Sequence, residues 1–280
     1  MIPRANITAW REHAPWPTDE QVEQDLVIAR AIVAMFENPD VAAGAVFRGG
    51  TALHKLFFEK PSRYSEDIDI VQRDAGPIGP LVAAVRSTLD SWLGVPKWKQ
   101  GRDGFTLYYR FETTIEPVVP MRLKVEINTR EHFAALGITQ RTLAVENPWF
   151  AGTVACPVYH LDELLGTKMR ALYQRKKGRD LFDLGLALNS GEADPKTVVE
   201  CFGRYMDHQG LAVSRAEYEA NLDGKLRDAA FIEDVRPLIP PTVVYDPLEA
   251  ARLVGERLIA RLPGESWKGR AESIDTRLPS

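Results

Sequence analysis

Apolar residues recur every three to four positions through DEQVEQDLVIARAIVAMFE, at Val22, Leu26, Ala29, Ile32, Val33 and Phe36. That spacing lines one face of a helix, which Pro17 and Thr18 introduce and Asn38-Pro39 ends. A short apolar run from Ala45 to Phe47 reads as a buried strand leading into Gly49-Gly50, and Thr51 to Phe58 as a short helix. Asp67-Ile68-Asp69-Ile70-Val71 alternates strictly, the period of a half-buried strand. Pro77 to Leu93 is helical, and the runs Phe105 to Glu112 and Arg122 to Asn128 are strand-like. This succession of helices and strands points to an α/β or α+β arrangement.

From Leu161 onward helical periods dominate: Leu161 to Lys177, Arg179 to Leu188, Pro195 to His208, Arg215 to Leu226 and Pro247 to Leu262. Gly152, Pro157 and a short apolar run separate the two patterns. The expected fold is therefore α+β: residues 1–155 form a small mixed sheet flanked by helices, and residues 156–280 form a mainly helical domain. The tail from Pro263 is polar and patternless and reads as flexible.

Composition narrows this little. The chain has 280 residues, 45% apolar and 26% charged, as in ordinary globular proteins. Cys156 and Cys201 match no metal-ligand spacing and read as reduced thiols of a cytoplasmic protein. No run of 18 apolar residues suggests a membrane span, and MIPRANITAW lacks the apolar core of a secretory signal. A net charge of −4 argues against a surface that coats nucleic acid generally, while leaving room for a local basic patch.

Candidate chemistry begins with Asp67 and Asp69. On a strand, residues two apart share a face at a separation of roughly 6.5 to 7 Å. Two carboxylates on one wall of a sheet are costly unless a cation offsets them, and Mg2+ seeks such oxygen ligands, completing its shell with waters and phosphates. An exposed strand showing acids to water would have the same pattern. Upstream, Phe47-Arg48-Gly49-Gly50-Thr51 lies at a strand-to-helix junction. Two glycines let the backbone approach a ligand, Thr51 can cap the next helix, and free N–H groups at a helix start favour phosphate. No Walker A loop or G-x-G-x-x-G fingerprint is present. Lys124-Val125-Glu126-Ile127-Asn128 alternates as well, so Glu126 can supply a third carboxylate if its strand lies near the first.

Gly-Gly, then Asp-x-Asp, then one acid on a later strand resembles the nucleotidyltransferase superfamily that includes polymerase β and the aminoglycoside adenylyltransferases. The closer resemblance is to the AbiEii/AbiGii-type nucleotidyltransferase toxins, a family that includes the mycobacterial MenT toxins. It rests on Arg48 to Lys55 (RGGTALHK), Arg63 to Asp69 (RYSEDID), and the block DELLGTKMRALYQRKKGRDLFD at residues 162–183.

That block carries six cations between Lys168 and Arg179 and no acid. Helical spacing puts Lys168 and Arg175 on one face, Gly178 ends that helix, and Asp180 and Asp183 share a face of the next. Such a run could instead be an ion-paired interdomain set. The resemblance implies that Lys168 contacts nucleotide phosphates and that Asp183 is needed for activity. Asp180 could orient Lys168 or Arg179, or cap the helix.

The expected reaction moves a nucleoside monophosphate from an NTP to a hydroxyl. Asp67, Asp69 and Glu126 hold Mg2+, while Gly49, Gly50, Thr51, Lys168, Arg175 and Arg179 hold the nucleotide. Either Glu126 or Asp183 is the general base. The resemblance further implies a toxin of a toxin–antitoxin system, with a pyrimidine triphosphate as donor, the 3′ end of tRNA as acceptor and an antitoxin as partner. It makes Ser65, two residues before Asp67, a candidate for regulatory phosphorylation; a strand-start serine capping a turn fits that position too. A small-molecule nucleotidyltransferase, or a non-catalytic interaction module on the same fold, are the alternatives.

Overall fold

A computed structural model describes residues 2–102 and 104–269. The chain opens on α1 (Arg4–Trp10), which the apolar pattern did not announce, and continues into α2 (Asp19–Glu37) at the expected bounds. Thr18 caps α2 with a capping box: its side chain accepts from the Gln21 amide, and the Gln21 side chain accepts from Thr18 N–H. Asn38 ends α2 and also caps α3 (Pro39–Gly44) by accepting from the amides of Asp40 and Val41.

The first part continues through β1 (Ala45–Arg48), α4 (Gly49–Leu56), β2 (Asp67–Gln72) and α5 (Gly79–Leu93). Five strands follow: β3 (Lys97–Gln100), β4 (Gly104–Glu112), β5 (Pro120–Asn128), β6 (Ile138–Asn147) and β7 (Phe150–Tyr159). All seven lie in one mixed sheet of order β3-β4-β5-β2-β1-β7-β6. The stretch around Gly152 and Pro157, read from sequence as a separator, is strand β7. It pairs with β6 throughout and touches β1 in parallel at Phe47 and Val158. Glycine and proline within it blur the alternation that would have revealed it. Elements after β7 are helical: α6 (Leu161–Gln174), α7 (Gly178–Ser190), α8 (Pro195–His208), α9 (Arg215–Leu226), α10 (Ala229–Glu233) and α11 (Pro247–Arg257), with 3-10 turns at Arg236–Leu238 and Ile259–Arg261.

Period-two alternation sorts the sheet into two faces. Ile68, Ile70, Phe105, Leu107, Tyr109, Leu123, Val125 and Ile127 are buried in the core that α2 and α5 cover. The opposite face carries the polar residues of β2, β4 and β5. Gly178 begins α7 rather than ending α6; a Cβ there would meet the Phe231 carbonyl oxygen at 2.1 Å, so close backbone packing requires glycine. The end of α6 is secured by Lys225, buried, whose ammonium donates to the carbonyls of Leu172 and Tyr173. The start of the tail is pinned: Arg215 N–H donates to Pro263 O at 2.8 Å, and Glu219 accepts from Trp267 N–H at 2.6 Å. From residue 270 on, the tail expected to be flexible lies outside the described residues. Among the described residues no helix is long and apolar enough to cross a membrane, and Cys156 and Cys201 are free and buried.

Candidate active site

The strand register sets the polar face in cross-strand rows. Arg48, Asp69, Glu126, Thr106 and Lys99 are successive partners across β1, β2, β5, β4 and β3. The neighbouring row runs Asp67, Lys124, Tyr108 and Lys97. Asp67, Asp69 and Glu126 thus occupy neighbouring register positions at the centre of the sheet although 57 residues separate Asp69 from Glu126. At the end of β1 the chain turns directly into α4 through Gly49, whose φ is +79°. A Cβ on Gly49 would lie 2.2 Å from Asp69 Oδ2, and one on Gly50 2.5 Å from the Arg63 guanidinium. The glycine pair therefore lets the acids and the start of α4 share one small volume.

A cleft of about 460 Å³ opens over this point. Its sheet side carries Gly49, Gly50, Asp67, Asp69 and Glu126, with Ser65 and Glu66 at the approach to β2. Its far side is the basic block, with Lys168, Arg175 and Arg179. Burial is the largest influence on both β2 aspartates and raises the pKa of each; at Asp69 the charge of Asp67 adds to the rise. Lys124 supplies the cation nearest the acids, its Nζ 3.3 Å from Asp67 Oδ2 and 2.5 Å from Glu126 Oε2. Burial works against that ammonium, but Glu126 and Asp67 overcome it and raise its pKa.

Buried carboxylates whose ionisation neighbouring acids make costlier suit a hard divalent cation. Asp67 and Asp69 fit that role as a pair. The expected third ligand is placed otherwise: Glu126 is turned onto Lys124 and is 46% exposed. Among the described residues no three acidic, histidine or cysteine side chains converge as a metal cage.

Two further expectations are corrected. Thr51 neither caps α4 nor lines the cleft; the helix starts at Gly49, and Thr51, fully buried, donates to the Asp67 carbonyl and lies 2.8 Å from Ser65 Oγ. It fixes the start of β2 from behind. Asp183 is also fully buried and stands behind the cleft. Arg63 holds it bidentately (Nε–Oδ1 2.6 Å, Nη2–Oδ2 2.7 Å), Lys168 Nζ lies 2.8 Å from Oδ2, and His54 Nε2 2.9 Å from Oδ1. Burial raises its pKa, but Arg63 and Lys168 outweigh that and hold the carboxyl well below the usual range. A carboxylate so engaged is a poor proton acceptor; it positions Lys168. His54 is itself driven by burial down to about 4 and stays neutral, donating from Nε2.

Asp180 receives Lys168 at 3.2 Å and Arg175 through two bonds of 2.7 and 2.8 Å, so it orients both cations rather than capping α7. The remaining cations of the block are paired: Arg170 with Glu131 at 2.6 Å, Lys176 with Asp228, and Lys177 and Arg179 with Asp234 at 3.5 and 3.4 Å. The run is less free to bind a polyanion than its sequence implies. Three participants escaped sequence reading. Arg63 is one residue of the RYSEDID run, Lys124 reads as a strand-face residue, and Glu131, which joins Arg48 to Arg170, gives no local signal.

The structure is similar to MenT4, a nucleotidyltransferase toxin of Mycobacterium tuberculosis, with a TM-score of 0.63 and 18% identity over 94% of this chain and 91% of that one. It is also similar to JHP933 of Helicobacter pylori (TM-score 0.52, 16% identity, 86% of this chain and 90% of that one). A structure described as a putative nucleotidyltransferase from H. pylori gives 0.52 at 17% identity, over 86% of this chain and 93% of that chain. No curated protein sequence matches the chain. The family described as nucleotidyl transferase AbiEii toxin, type IV TA system, matches residues 30–271. With cleft, fold and sequence in agreement, this chain belongs to the AbiEii family of nucleotidyltransferase toxins.

Proposed function

We propose that this toxin acts in the cytoplasm, transferring a nucleoside monophosphate from an NTP, with pyrimidines the favoured donors, to the 3′ hydroxyl of tRNA and so blocking translation. The observation that carries this reading is the single cleft in which Asp67 and Asp69 face Lys168, Arg175 and Arg179 across the Gly49-Gly50 turn. Asp67 and Asp69 would hold Mg2+, which when bound neutralises phosphate charge and eases deprotonation of the hydroxyl. Lys168 and Arg175, aimed by Asp180, meet the β- and γ-phosphates, and the amides at the start of α4 serve the same anion. Glu126, exposed beside Asp69 and released from Lys124 as the substrates enter, takes the proton as the hydroxyl oxygen bonds to the α-phosphorus. The bond from that phosphorus to the bridging oxygen breaks, and pyrophosphate leaves. In this division of labour the sheet through Tyr159 carries the acids, and the helices from Leu161 close over the nucleotide.

The family implies an antitoxin partner. Ser65 lines the cleft two residues before Asp67, where a phosphate would add about two negative charges beside the acids and compete for the cation. The reading is tested by incubating the chain with total RNA, Mg2+ and each labelled NTP in turn. Label is expected on tRNA with wild type and absent with an Asp67→Ala protein that still unfolds cooperatively. Label confined to protein or to a small molecule would reject the tRNA acceptor.

A further inference from the structure

Beyond the acids, the two rows of the open sheet face continue to the sheet edge and change sign. From Asp69 the first row passes Glu126 and Thr106 to Lys99, a reach of three strand spacings, about 14 Å. From Asp67 the second passes Lys124 and Tyr108 to Lys97, and Arg110 sits opposite Arg122 in the row beyond. Lys97, Lys99, Arg110 and Arg122 are exposed, and none has an ion-pair partner among the described residues, unlike the cations of the basic block. Tyr108 lies half-buried among them with the Arg122 guanidinium 5.3 Å from its ring centre. A second groove of about 340 Å³ on this face is lined by Lys99, Arg102, Thr106 and Tyr108, and it shares Lys124 and Glu126 with the nucleotide cleft.

We infer that this β3–β4–β5 face is where the acceptor binds, as a single-stranded RNA end lying along the groove with its terminal hydroxyl delivered to Glu126. The inference rests on the nucleotidyl-transfer reading above. Three features select this occupant. Unpaired cations on a chain of net charge −4 complement a phosphodiester backbone. An aromatic ring on an open sheet with an arginine beside it is a stacking platform for an unpaired base. The groove ends at Glu126, the exposed carboxylate it shares with the nucleotide cleft, so an occupant reaches the reacting position by its end. The donor's phosphates have their own cations on the opposite wall, which leaves the two substrates separate berths.

The test uses the full chain and a short fluorescein-labelled single-stranded RNA, followed by anisotropy across a salt series. Lys99→Glu combined with Arg122→Glu is expected to weaken RNA binding roughly tenfold or more. The thermal shift given by Mg2+ and CTP stays unchanged, and Lys99→Arg with Arg122→Lys retains binding. Wild-type RNA affinity in the charge-reversed variant, or a wild-type chain that binds no RNA, would overturn the assignment. If the reversed variant labels RNA with an unaltered KM for RNA, the surface is wrong and the transfer reading stands. If wild type binds RNA through these residues yet transfers nucleotide to no acceptor, the transfer reading fails and the surface survives.

Discussion

Asp69 and Gly49 are packed so that no side chain fits between them: a Cβ on Gly49 would fall 2.2 Å from Asp69 Oδ2. Gly49 also holds φ +79°, a conformation that costs a side-chain-bearing residue about 1–3 kcal/mol. Gly49→Ala is therefore expected to push the Asp69 carboxylate aside. A displacement of about 1 Å in such a site can lower turnover by roughly 100-fold. Steady-state rates at saturating nucleotide, with melting curves as control, check this; an alanine variant with wild-type turnover would refute it.

The acids work against the fold that holds them. Asp67 and Asp69 have pKa values raised above those of the unfolded chain, chiefly by burial. The folded state therefore binds more protons, and stability falls as pH rises from about 4 through the folded values. Asp69→Asn is expected to raise the melting temperature at pH 7 without metal while abolishing transfer. Mg2+ should stabilise wild type, because it binds only the folded form, and leave the Asp67→Asn/Asp69→Asn protein unmoved. Calorimetry with and without Mg2+ decides it: a metal-induced shift that persists in the double variant places the cation elsewhere.

Arg63 and Asp183 form a fully buried pair. Removing one partner leaves the other charge stranded, a loss of about 3–5 kcal/mol. Arg63→Met and Asp183→Leu should each destabilise strongly, and the double variant less than the sum of the two, since it strands neither. Lys168 and His54 also lose a partner when Asp183 goes, so that variant should be the weaker single. Urea unfolding of all four proteins tests the coupling; strict additivity would show the pair to be energetically idle.

His54 sets an acid limit. Its folded pKa of about 4 lies below its unfolded value of about 6.5. Between these values the unfolded chain binds the extra proton, so stability falls as pH drops from about 6.5 to about 4. Asp180 and Asp183, whose pKa values are depressed, lose their contribution only at lower pH still. His54→Gln, which can still donate to Asp183, should flatten the melting profile between pH 6.5 and 4. A profile with an unchanged slope would remove His54 as the cause.

Local pattern carried much of the architecture. The 3.6 period of α2 and the strict alternation at Asp67–Val71 survive into the fold because each reflects one buried face, and the two β2 acids follow from that alternation alone. What escaped is non-local. Glu131 bridges Arg48 and Arg170, and Lys124 bridges Asp67 and Glu126, through pairings that depend on strand register rather than on neighbours in sequence. The basic block was visible as a run of cations, but its acidic partners Asp228 and Asp234 lie some fifty residues away. β7 escaped because Gly152 and Pro157 interrupt its period.

The burial of Asp183 against Arg63 and Lys168 also has a consequence in time. A chain emerging from the ribosome displays Asp67 and Asp69 long before it has produced the helix that orders Lys168 and fills the space behind Arg63. Until residue 183 is out and seated, an arginine lacks its counter-charge and the phosphate-binding wall lacks its anchor. The acidic wall of the cleft is thus made before the cationic wall that faces it, and the site is incomplete until residues 168–183 have followed.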